Sequence, residues 1–281
     1  MKIKKGKTIN QLILHVVLIV LVIVAVVPML SMVTNSLIDE GFIMPDPPRI
    51  LPQVPFYFKN YTEAWNGSNF KTYFVNSVIL ATSGTIINII VSTITAYGFS
   101  RFEFPGKEKI FNIFLLTMMI PAMLAIIPQY TIINSLGLVD SYYGILLLYA
   151  AGCVAGNTFF FRGFFESIPK ELEESVVIDG GNRWHVLRNV ILPLSKPAIG
   201  TMTIFAFTGY WGDLFTILTF IKTEEHRTLP VALQLFKGQH NTNYGLLFAA
   251  SIIVLVPTVV IFIIFQKQYM KQGATDGAVK G

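Results

Sequence analysis

From Leu12 to Leu30 the chain reads LILHVVLIVLVIVAVVPML, nineteen residues without an Asp, Glu, Lys or Arg. A helix of that length is about 30 Å long, the thickness of a bilayer's hydrocarbon core. Five further apolar runs follow, over Thr72–Phe99, Ile110–Tyr130, Tyr142–Phe161, Pro197–Ile221 and Tyr244–Phe265. None alternates apolar and polar residues as a barrel strand must, and in lipid every backbone N–H and C=O must find a partner inside its own segment. The expected fold class is therefore an all-α integral membrane protein with six transmembrane helices. Charged residues make up 13% of the 281, about half the usual share for soluble chains. Nearly all of them fall between the runs.

The positions of those charges give an orientation. Lys and Arg number fifteen in the segments before the first run, after the second, after the fourth and after the sixth, against six in the alternate segments. By the positive-inside rule both termini and the long polar segment 162–196 are expected in the cytoplasm. The chain then divides into an amino-terminal segment 1–11, a six-span domain 12–265 that contains the 162–196 loop, and a tail 266–281. The first run is too long for a cleaved signal and lacks a small-x-small site. The proline-rich stretch between Ser36 and Lys71 reads as a surface loop.

Span two, with NSVILATSGTIINIIVSTITAYGFS, is rich in small and hydroxylated residues that let helices approach closely, which places it inside the bundle. Gly152 and Gly156 have small-xxx-small spacing, and Pro121, Pro128 and Pro257 are expected to bend or interrupt spans three and six. Asp213 is the only acid well inside an apolar run; it reads either as a lining group of a translocation path or as a capped acid near the external surface. Asn76, Asn88, Thr93 and Asn157 could face such a path or bridge neighbouring helices, and Trp211, two residues before Asp213, is a further candidate to line it. The single cysteine, Cys153, reads as a small buried packing residue.

Several chemistries have no residues to carry them. FPGKEK supplies Gly106 and Lys107, but Arg101 stands where a phosphate loop needs its first glycine. His15, His185, His226 and His240 are scattered, with no HExxH and no paired cysteines for a metal. The net charge of +5 arises beside membrane runs and not in a basic domain, so no nucleic-acid partner is expected. A non-enzymatic chain is expected, with no metal and no cofactor of its own.

The segment SIPKELEESVVIDGGNRWHVLRNVILPLSKP is the informative one. Pro169 can begin a helix, Glu171, Glu173 and Glu174 suit its positive end, and Leu172 with Val176 forms an apolar face. Asp179, Gly180 and Gly181 interrupt it, and a second short helix restarts after Asn182 with Trp184, Leu187 and Ile191 on one side. Two short helices around a glycine corner make a knob that can transmit a partner's motion. A secondary transporter of small solutes and a non-transporting membrane scaffold remain alternatives on these grounds.

This loop resembles the EAA motif of permease subunits from binding-protein-dependent ABC importers. Glu174, Ser175 and Val176 stand at the triplet, Gly180 at the glycine, and Val190, Leu192 and Pro193 at the closing I-x-L-P. SRFEFPGK, LPLSKPAI and the terminal GATDGAVKG resemble the carbohydrate-type permeases related to the maltose subunit MalG. YWGDLF resembles the family's W-N-D/E stretch, with Gly212 in place of asparagine. The resemblance implies a type I permease bundle in a bacterial cytoplasmic (inner) membrane, forming half a translocation pathway for a sugar or oligosaccharide. It also implies a second six-span permease, two ATP-binding cassette subunits that hold ATP and magnesium, and an extracytoplasmic solute-binding protein. Glu174, Ser175, Val176, Asp179, Gly180, Leu192 and Pro193 would form the ATPase coupling element. Within the tail, Gly277, Ala278, Val279, Lys280 and Gly281 would reach between the ATPases.

Overall fold

A computed structural model describes residues 3–39, 50–51, 54–67, 69–236 and 242–278. The described residues form helices and no strand: α1 (Ile3–Ser36), α2 (Lys59–Asn66), α3 (Phe70–Arg101), α4 (Lys107–Thr117), α5 (Ala122–Ser135), α6 (Tyr142–Gly152), α7 (Val154–Glu166), α8 (Glu171–Ile178), α9 (Arg183–Val186), α10 (Leu192–Leu194), α11 (Lys196–Trp211), α12 (Phe215–Phe220), α13 (Leu229–Phe236) and α14 (Tyr244–Ala278). Three helices are long and apolar enough to cross a membrane unaided, at Gln11–Ser36, Phe70–Arg101 and Tyr244–Gln268. Two of the remaining spans are bent pairs, α4 with α5 at 103° and α6 with α7 at 42°; the third starts with α11, which bends by 75° away from the polar Arg183–Leu194 segment before it. By length and composition the described residues supply up to six spans, the bent ones counted as one each.

The chain divides into two compact units, Met1–Lys71 with Ala232–Leu255, and Thr72–Val231 with Val256–Gly281. In the first, α1 exposes its aliphatic side chains almost throughout, as suits a helix in lipid. Its end is polar and buried at Thr34, Asn35 and Ser36. The expected loop from Ser36 to Lys71 holds α2, whose Asn60 donates through Nδ2 to Ser36 O at 2.9 Å and Ile38 O at 2.6 Å. Gly245 packs on the same amide; a Cβ there would lie 2.7 Å from Asn60 Nδ2. Most of the proline-rich stretch lies outside the described residues.

In the second unit α3 is the central element. Its buried face carries Ser77, Ala81, Thr85, Asn88, Ser92 and Ala96, the small residues that let neighbours come close. Gly84 is the tightest point, where a Cβ would stand 2.6 Å from Tyr149 Cδ2. One apolar cluster packs Ala96, Tyr97, Phe161, Phe165, Leu187 and Ile191; another packs Leu80, Ile133, Ile145, Tyr149, Ile217 and Phe220. Arg162 of α7 lies over the Phe111 ring of α4, 4.1 Å from its centroid, and bonds Glu108 and Glu166 at 2.7 and 2.8 Å.

Several expectations are corrected here. Pro121 stands at the break of span three, immediately before α5, as expected, whereas Pro128 and Pro257 interrupt neither α5 nor α14 but sit within them. Gly152 and Gly156 do not mark a close helix contact within the chain: a Cβ at Gly152 would meet nothing within 4 Å, and one at Gly156 only Met118 at 3.4 Å. Their segment is instead where span four breaks. Cys153, at that break, is exposed rather than buried. Span five is interrupted too, between Trp211 and Phe215.

Gly84→Leu should overpack the α3–Tyr149 contact and destabilise the protein by about 1–3 kcal/mol, read as a lowered melting temperature of the detergent-solubilised chain beside Gly84→Ala, whose single methyl should cost less.

Candidate functional site: an elbow, a clamp and a cleft

The polar segment folds as its glycines and caps dictate. Glu171, Glu173 and Glu174 occupy the first turn of α8, where carboxylates complement the exposed N–H groups. The helix ends in a Schellman turn: Gly180 N donates to Val177 O at 3.0 Å and Gly181 N to Val176 O at 2.8 Å. Gly180 takes φ +82°, and a Cβ on Gly181 would come within 2.6 Å of Val176 Cγ1, so both glycines are required. Asn182 then caps α9, its Oδ1 accepting from Trp184 N at 3.0 Å and His185 N at 3.1 Å. His185 Nδ1 accepts from Asn182 N at 3.2 Å, completing a capping box. A π turn, Leu187–Ile191, follows, and the chain bends at Ser195 into α11.

The elbow has an anchored face and an open one. Glu173 is buried, Val176 and Leu192 are half-buried against the Phe161–Phe165 cluster, and Leu187 and Ile191 are buried. Glu174, Ser175, Asp179 and Pro193 are exposed, as are Val177 and, at 84%, Ile178. Ser175 Oγ bonds only back to Leu172 O among the described residues, at 2.9 Å. Two expectations change: Trp184, 59% exposed, leaves the Leu187–Ile191 face, and Leu172 is exposed and does not share the buried face of Val176. A run of exposed apolar side chains on a short, well-capped helix pair is what a docking surface looks like.

Glu173 has a partner that helix-end reasoning missed. Its Oε1 accepts from Nε of Arg101, the last residue of α3. Arg101 Nη2 also donates to Phe165 O at 2.7 Å and Ile168 O at 3.0 Å. The two side chains are 3% and 6% exposed. One turn earlier, Tyr97 OH donates to Arg183 O at 3.0 Å. The sequence signal was an arginine ending an apolar span, which bears on orientation, on the exclusion of a phosphate loop and on the SRFEFPGK resemblance, but does not by itself point to Glu173 as a partner.

The breaks of spans three and four open a cleft of 810 Å³ whose wall includes Phe114, Met118, Pro121, Gln129, Cys153 and Asn157. Irregular backbone at membrane depth is tolerated where protein or a watery cavity satisfies it. Of the residues expected near a pathway, Asn88 and Asn157 are buried together: Asn157 Nδ2 donates to Asn88 Oδ1 at 2.6 Å, and Asn88 Nδ2 to Tyr149 O at 3.1 Å. They bridge spans two and four. Thr93 is buried, and Trp211 is buried against Phe74 and Phe207. Asn76 Nδ2 donates to Glu225 O at 2.7 Å and Arg227 O at 2.8 Å. Asp213, half-buried, accepts from Thr216 N at 3.1 Å, capping the start of α12.

At the far end of these spans Asp140 joins two loops. It has φ +62° and accepts from Lys222 N and Thr223 N, both at 2.9 Å, and from Thr223 Oγ1. The Thr223 hydroxyl, with the two backbone N–H groups, holds its pKa down at about 2 against burial. The tail is helical to Ala278, so Gly277 and Ala278 continue α14, whereas Val279, Lys280 and Gly281 lie outside the described residues.

The sequence pattern of binding-protein-dependent transport system inner membrane components matches residues 88–269. The chain belongs to that family. This permease is 32% identical to the diacetylchitobiose uptake system permease protein of Streptomyces coelicolor, over 90% of its own length and 84% of the relative's. It is 35% identical to the galactooligosaccharides transport system permease protein of Bacillus subtilis, over 88% and 85%. The trehalose/maltose transport system permease protein of Thermococcus litoralis matches at 30% identity over 99% of both chains. A chain of a bacterial ABC transporter that imports the acidic polysaccharide alginate shares its fold, with TM-score 0.79 and 24% identity over 93% of this permease and 97% of that chain.

Asp140→Ala should loosen the 220–227 loop by about 1–3 kcal/mol through three lost hydrogen bonds, seen as faster amide exchange at Lys222 and Thr223. Because its folded pKa lies below the usual 3.8, the carboxylate stabilises the fold fully above about pH 4, and that share should disappear as the pH falls towards 2. Asp140→Asn should remove this acid-dependent share.

Proposed function

We propose that the permease forms half of the translocation pathway of an ATP-driven importer for a sugar or oligosaccharide. The observation that carries the reading is the elbow: two capped helices, anchored on one side and offering Glu174, Val177, Ile178 and Trp184 on the other. The named relatives that transport oligosaccharides support the substrate class. The elbow and both termini lie on the cytoplasmic side of a bacterial inner membrane, as the distribution of Lys and Arg supports.

A second six-span permease completes the pathway, and two ATP-binding cassette subunits dock on the elbows. ATP and its magnesium belong to those subunits. An extracytoplasmic binding protein delivers the solute to the opposite end, near the loop that Asp140 and Asn76 hold in place. When the cassettes close, they push the open faces of the elbows, and the broken spans rotate about their breaks. The cleft between spans three and four then changes its access, with Gln129, Cys153 and Asn157 at its wall. Asn88, Asn157 and Trp211 keep the moving parts packed, and Asp213 holds the broken end of span five. The tail, Gly277 to Gly281, reaches between the cassettes.

A reconstituted complex of the two permeases, the cassettes and the binding protein tests this. Glu174→Ala combined with Gly180→Pro should abolish solute-stimulated ATP hydrolysis while leaving membrane insertion intact. Undiminished stimulation refutes the elbow's role; uptake that needs no cassette and follows an ion gradient favours a secondary transporter; assembly without nucleotide-dependent change favours a scaffold.

A further inference from the structure

We propose that Arg101 is the positioning residue through which the elbow acts on spans two and four, a role that rests on the coupling reading above. Glu173 faces inward on α8, while Glu174, Val177 and Ile178 face out. A push on the outer face must therefore cross the helix and leave it on the Glu173 side. There it meets one guanidinium that also holds the carbonyls of Phe165 and Ile168, at 2.7 and 3.0 Å. Three pieces of chain meet at this group: the end of α3, the end of α7 and the first turn of α8.

Without this clamp, α7 and α8 are joined by the short turn 167–170 and by the apolar packing of Val176 on the Phe161–Phe165 cluster, contacts without direction that can slip and dissipate the movement. With it, they turn together. The rest of the elbow is braced from the same helix, since Tyr97, four residues before Arg101, donates to Arg183 O at 3.0 Å. Span two thus holds both halves of the elbow across the Gly180–Gly181 corner. Static stability does not account for the choice of chemistry, because a buried ion pair gains little over apolar side chains once both charges are desolvated. What a planar guanidinium adds is direction: its donors lie in a fixed fork, so the angle between α8 and the spans is set along with the contact. A lysine would supply the charge without the angle.

The test uses the full reconstituted complex and the ratio of solute-stimulated to basal ATP hydrolysis, a quantity that a merely structural contact would not move. Arg101→Gln and Glu173→Gln should each assemble with the cassettes and lower that ratio at least tenfold. Arg101→Lys should lower it less, and the protein carrying both Arg101→Gln and Glu173→Gln should be no worse than Arg101→Gln alone, because the carboxylate acts through the arginine. A ratio within twofold of wild type in Arg101→Gln overturns the proposal. So does failure of both Arg101→Gln and Arg101→Lys to assemble, which would make the arginine a folding staple. A wild-type complex without any stimulation overturns the importer reading itself, and this inference with it.

Discussion

A charge withdrawn from water must be met by enough partners to offset its lost hydration, and the arrangement around Arg101 follows from that requirement. One carboxylate and two carbonyls have to converge on it, and they come from segments 64 to 72 residues away in sequence. Satisfying the guanidinium therefore fixes where α7 ends and where α8 begins relative to α3. The apolar cluster of Ala96, Tyr97, Phe161 and Phe165 closes over the same junction. The elbow inherits its orientation from this point, since its glycine corner and capping box fix its internal shape only.

The second constraint is the bilayer's lack of hydrogen-bonding partners. An unbroken helix satisfies it alone, as α1 does with nearly all its aliphatic surface exposed. A broken span must be repaired by its neighbours. Asp213 meets the N–H of Thr216 where span five restarts, and Asn88 uses its amide on Tyr149 O near the break of span four. Asn88 and Asp213 therefore serve the breaks, and the breaks of spans three and four open the cleft. Discontinuous helices of this kind line solute sites in many transporters, where freed backbone groups face a cavity.

Much of this was legible beforehand. Hydrophobic runs placed all six spans, because crossing a fixed hydrocarbon thickness demands a fixed length of apolar chain. The glycine corner at Gly180 was readable because a left-handed residue after a helix is a local matter, and the small residues of span two announced its burial. Less was legible where the outcome depended on a distant partner. Glu173 and Glu174 are adjacent acids in one helical turn, yet one is buried and the other exposed. Nothing within that turn distinguishes them until Arg101 arrives from α3. Pro121 and Pro128 lie seven residues apart, and only the first stands at a break; the proline rule by itself does not say which.

By itself, then, the sequence determined the class of solvent, the number of crossings, the polar elbow and its family, because each depends on composition or short-range spacing. The tertiary structure alone decided that Asn88 and Asn157 bridge helices, that Cys153 opens on a cleft, that Asp140 ties two loops together and that Arg101 clamps the elbow to the spans. Those outcomes turn on which groups meet across tens of residues, and contact at that separation is set by how the helices pack.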